Sequence, residues 1–70
     1  MRLSKYLRDV REGKGQTQLE ASREVGVHQQ TWSTWERGTA PRAYRTIRRL
    51  ADWAGITSEE LDRMVEQAET

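Results

Sequence analysis

The side chains of Gln18, His28, Gln29, Gln30, Thr31, Ser33, Thr34 and Arg37 are hydrogen-bonding groups set close together in one short stretch of chain. Their chemistry is recognition rather than bond making. A glutamine amide offers a donor and an acceptor side by side, which matches the N6/N7 edge of adenine, and such a bidentate pair discriminates by about 1–3 kcal/mol against the wrong base. Gln29 and Gln30 put two such amides in succession. Catalysis asks for a constellation that is missing here. There is no Cys, one His and no phosphate-cradling loop, so neither an enzyme nor a cofactor is expected. One His without Cys also argues against a zinc site. Glu59, Glu60 and Asp62 fall at a helix start, where the dipole favours acids, and need no catalytic role.

The elements that must hold these groups are helices. Leu3, Leu7 and Val10 recur at helical spacing, and Gly13 and Gly15 end that first segment. Thr17 followed by Glu20 forms a capping box that opens a second helix, which runs to Val25 and stops at Gly26. Only Val27 and His28 intervene before a third helical stretch that carries Trp32 and Trp35 and stops at Gly38. Two helices joined by a short turn containing Gly make the helix-turn-helix pattern. Pro41 suits the first turn of a fourth helix, with Tyr44, Ile47, Leu50, Ala51 and Ala54 on its apolar side and Gly55 as its stop. Thr57 with Glu60 opens a fifth, with Leu61, Met64, Val65 and Ala68 on one side. The expectation is an all-α, compact five-helix bundle forming a single domain over residues 1–70.

Composition bounds the partners. Seventy residues leave no room for a second core. No apolar run approaches the roughly 20 residues that span a bilayer, and the start lacks the apolar stretch of a signal peptide, so a cytoplasmic protein without a membrane partner is expected. The formal charge of +1 conceals an asymmetry. Residues 1–49 carry 11 Lys+Arg against 5 Asp+Glu, whereas residues 50–70 carry 1 against 6. That split points to a basic face for an anionic partner and a separate acidic end.

The segment from Thr17-Gln18 through Gly26-Val27 to Trp35-Glu36-Arg37-Gly38, with Leu7 to Arg11 before it and Leu50-Ala51 and Gly55-Ile56 after it, resembles the Cro/C1-type helix-turn-helix family of phage repressors and bacterial regulators. The resemblance implies a fold of the lambda-repressor-like type and a double-stranded DNA partner. It implies that Gln18 meets a phosphate, and that Gln29 and Gln30 face base edges. Ser33 and Thr34 would reach bases or sugar-phosphate, with Thr31 on the same helix, and Arg37 the backbone. It also implies an ion pair between Arg11 and Glu36. The family often has a small hydroxyl residue where this chain has His28, which leaves that residue as a cap, a phosphate contact or neither.

Further expectations draw on the residues and on the resemblance together. Arg42, read as part of the first turn of the fourth helix, either neutralises a phosphate held there or is a solvated arginine. Arg45, Arg48 and Arg49 are read as solvated. Trp32 stands where the family usually has Ile or Val and Ala21 where it usually has Leu, so the large residue is expected to fill the space above the small one. Trp35 is expected in the core and Trp53 half buried. A single reading helix specifies only a few base pairs, so a homodimer on a pseudo-palindromic operator is expected. Its surface would be the acidic C-terminal part with Trp53, Ile56, Leu61 or Met64. The resulting function is promoter occlusion by a small repressor in a bacterial or phage-infected cell, with no small-molecule ligand. The alternative is an antitoxin or adaptor that uses the same fold to hold a protein.

Overall fold

The computed structural model describes residues 2–68, the last by its backbone alone. Five α-helices follow one another: α1 (Leu3–Gly13), α2 (Gln18–Val25), α3 (Gln29–Glu36), α4 (Tyr44–Ala54) and α5 (Ser58–Ala68). No strand occurs among the described residues. Ala68 as a core side chain and Glu69 of the acidic end lie outside what is described.

The helix ends follow from local chemistry. The Thr17 hydroxyl accepts from the Glu20 amide at 3.1 Å while the Glu20 carboxylate accepts from the Thr17 amide at 2.9 Å, the reciprocal capping box. Thr57 and Glu60 repeat it at the head of α5, with 3.1 and 3.2 Å for the two bonds. Gly26 closes α2 in the left-handed region at φ 88°, where a side chain is strained.

One core joins all five helices. Leu3 and Leu7 of α1, Ala21 and Val25 of α2, Trp32 and Trp35 of α3, Ile47, Leu50, Ala51 and Trp53 of α4, and Leu61 and Val65 of α5 are buried together. Val10, Ile56 and Met64 are half buried at its edge. Helix α3 is held between α1 and α2, α4 packs on α2, and α5 closes the bundle against α1 and α4.

Three expectations about this core are corrected. Helix α4 begins at Tyr44, not at Pro41, with Ala43 as its N-cap. Pro41 is buried in the connection instead, so burial of its ring outweighs its preference for a first helical turn. Tyr44 is 69% exposed, and the buried stripe of α4 starts one turn later at Ile47. Its phenol carries a polar tip that water solvates at the helix start. Trp53 is fully part of the core at 6% exposure, because its indole N–H donates to Gln16 Oε1 at 3.0 Å and needs no water. Gln16 thereby ties the α1–α2 connection across α4, and Lys14 lies 5.4 Å above the Trp53 ring centre. Trp32 and Ala21 are both completely enclosed. The Trp32 ring meets Trp53 edge-on at 4.9 Å and Trp35 at 5.6 Å.

Candidate nucleic-acid interface

Helix α3 has two faces, and the inner one fixes the outer. Trp32, Trp35 and Glu36 point inward and are buried. A buried carboxylate is costly unless its lone pairs are met. At Glu36 they are. Arg11 donates through Nε to Oε2 at 2.6 Å and through Nη2 to Oε1 at 3.1 Å, the two-pronged geometry that a guanidinium supplies. The indole N–H of Trp32, one turn back, donates to Oε2. Gln18 Nε2 donates to Oε1 at 3.1 Å from the first turn of α2. Arg8 adds a longer ionic contact at 3.7 Å and donates to the Glu36 carbonyl at 3.3 Å. Burial pushes the Glu36 pKa up, but the hydrogen bonds from Arg11, Trp32 and Gln18 outweigh it and hold the carboxyl below its ordinary range. The Arg11–Glu36 pair expected from the resemblance is therefore present. The wider cluster, which binds α1, α2 and α3 through one carboxylate, was missed. Trp32 was within reach of sequence reasoning, since an i, i+4 pair shares a helix face. Gln18 and Arg8 were not, because only tertiary packing brings them there.

The outer face of α3 carries the residues singled out for recognition. His28, Gln29, Gln30, Thr31 and Arg37 are exposed, and Ser33 and Thr34 are half exposed. The helix begins and ends where that stretch does, with His28 as N-cap and Arg37 as C-cap. His28 makes no side-chain cap bond, so the capping option for this residue is excluded. The Thr34 hydroxyl donates to the Thr31 carbonyl at 2.6 Å. A shallow hollow lies on this face, lined by His28, Gln30, Thr31 and Thr34.

Two expected contacts sit differently from the sequence reading. Gln18 is half buried, with its amide nitrogen turned to Glu36. Arg42 is exposed but precedes the α4 cap, so it is outside the first helical turn and the dipole argument made for it does not apply. Arg45, Arg48 and Arg49 are exposed as expected, and with Tyr44 and Asp52 they line a groove along α4. Among the described residues no group of three or more His, Cys, Asp or Glu side chains could hold a metal ion. No helix there is long and apolar enough to cross a membrane.

A family model described as a helix-turn-helix domain matches residues 2–64, nearly the whole chain. The chain belongs to the helix-turn-helix family of the Cro/C1 type. No curated protein and no solved structure matches it significantly. Membership supports DNA binding and agrees with the architecture, in which α2 and α3 are the two helices of the motif and Gly26 to His28 the turn between them. In this helix-turn-helix protein the buried Glu36 cluster is the joint that fastens the second helix of the motif to the rest of the bundle.

Proposed function

We propose that this helix-turn-helix protein is a sequence-specific transcriptional regulator that represses by occluding a promoter, with α3 laid in the major groove. The observation that carries the reading is the division of α3 into a buried, locked face and a polar, exposed one. A helix in the major groove offers its N-terminal turn to the bases. Here that turn holds Gln29 and Gln30, whose amides suit adenine. Ser33 and Thr34 reach bases or sugar one turn further, and Arg37 meets a phosphate. Gln18 keeps one amide N–H for a phosphate while the other is spent on Glu36, so its contact is positioned rather than free to swing. His28 and Arg42 supply further phosphate contacts at the two edges.

Two copies bind together in this reading. The longest extent of one copy is 27 Å, shorter than the 34–36 Å between half-sites one helical turn apart. Trp53 and Leu61 are buried and cannot form the dimer contact, which narrows the apolar part of that surface at the C-terminal end to Ile56 and Met64. The acidic side chains of α5 then lie away from phosphate. The test is binding to a specific duplex as salt is varied. The slope of log K against log salt should be steep, about −0.9 for each phosphate neutralised, and a flat slope with tight binding to a protein partner would overturn the reading.

A further inference from the structure

Helices α4 and α5 each carry a line of charge that the bundle does not use. Arg45, Arg48, Arg49 and Asp52 stand at i, i+3, i+4 and i+7 on α4, all exposed, and with Tyr44 they line the groove along that helix. Glu59, Asp62, Arg63 and Glu66 repeat the spacing on α5, also exposed, with acids in the majority and one base among them. Neither line serves its own helix. Like charges three or four residues apart repel. Arg45 sits in the first turn of α4 and Glu66 in the last turn of α5, each opposed to the helix dipole there. Nor do the two lines serve each other within one copy. Although α4 and α5 pack together, the ion pairs of the described residues join other groups, Lys5 to Asp9 and both Arg8 and Arg11 to Glu36.

We propose that the α4 groove of Arg45, Arg48, Arg49 and Asp52 receives the acidic face of α5 from a second copy of the chain. Charge decides the occupant. A duplex backbone is uniformly negative, and Asp52 in the groove repels it. The α5 face is mixed in the matching sense: Glu59, Asp62 and Glu66 suit the arginines, and Arg63 suits Asp52. Every copy brings both faces. The contact is therefore heterologous, head to tail, and a pair joined in this way keeps one groove and one acidic face free to extend into a ring or a row. It stands apart from the DNA reading, and it uses other side chains than the apolar dimer contact at Ile56 and Met64. Exposed ion pairs are individually weak and screened by salt, so this association belongs to concentrated protein at low salt.

The experiment is sedimentation velocity of the full chain, free of nucleic acid, in about 0.01 M and about 1 M salt, where charges are screened beyond about 30 Å and about 3 Å. Wild type should form species larger than a dimer at the lower salt and lose them at the higher. Reversing the groove by Arg45→Glu with Arg48→Glu should abolish those species, as should reversing the α5 face by Asp62→Lys with Glu66→Lys. A chain carrying all four changes keeps the net charge of +1 and pairs a basic α5 face with an acidic groove, so it should regain them. Circular dichroism checks the fold. Where a reversal unfolds the chain, Arg48→Gln and Asp62→Asn, which only remove charge, should each weaken the association. Wild type that stops at a dimer at low salt would overturn the proposal, as would a four-change chain that does not regain the larger species. A groove-reversed protein that loses duplex affinity but associates like wild type assigns the groove to phosphate and overturns it too. Wild type that binds no duplex removes the DNA reading and leaves this contact standing.

Discussion

Glu36 shows how a residue of the wrong charge for a DNA-facing helix becomes its anchor. An acid near phosphate is repelled. Turned inward, the same carboxylate collects donors from Arg11, Trp32 and Gln18 and ties three helices together. Arg11→Ala leaves that charge buried and short of its two strongest bonds. Loss of one partner of a buried pair costs about 3–5 kcal/mol. In so small a domain this is a large part of the total stability, and thermal unfolding should show the variant largely unfolded at 37 °C. An unchanged melting temperature would contradict the role given to the pair. The pH dependence follows from the same bonds. Since the folded protein holds Glu36 below its ordinary value of 4.5, the stabilisation is complete above that value. It is lost as pH falls from there through the depressed folded value. Glu36→Gln should therefore be less stable than wild type at neutral pH and show a shallower acid limb in a melting-temperature profile below pH 4.5.

At the scale of elements, local signals located the helices and tertiary contacts decided the rest. The capping boxes at Thr17 and Thr57 and the stop at Gly26 are short-range chemistry, so the heads of α2 and α5 and the turn of the motif were legible. The start of α4 was not, because a proline tolerated in a first helical turn is equally at home in a connection, where Pro41 is buried. Trp53 was misjudged for a related reason. Its place on the helical wheel is marginal, and only Gln16, far away in sequence, makes full burial affordable. Gly26 is the most exacting position of the motif. Its φ is 88°, and a Cβ added there would come within 3.2 Å of Arg49 Nη1. Gly26→Ala should cost about 1–2 kcal/mol from the left-handed backbone, read as a lowered urea midpoint. Ala21→Leu should destabilise by about 1–3 kcal/mol through overpacking beside the enclosed Trp32. A neutral Ala21→Leu would mean that the two do not share a limiting volume.

The whole molecule separates its charges and its tasks. Residues 1–49 carry 11 Lys+Arg against 5 Asp+Glu, whereas α5 carries Glu59, Glu60, Asp62 and Glu66 against the single base Arg63. The exposed polar face of α3 stands out because the rest of that helix is locked in the core. Which side chains of α3 are buried and which are exposed could be read from the sequence once the third helix was placed. How firmly they are held could not, since that depends on Glu36 and its distant donors. Under the proposed function this face reads base sequence. The most direct measurement is selection of bound sites from a random duplex pool by wild type and by Gln29→Ala. The prediction is an enriched two-half-site sequence for wild type and, for the variant, relaxed preference at one position per half-site with the others kept. No enrichment, or an identical preference in the variant, would contradict it.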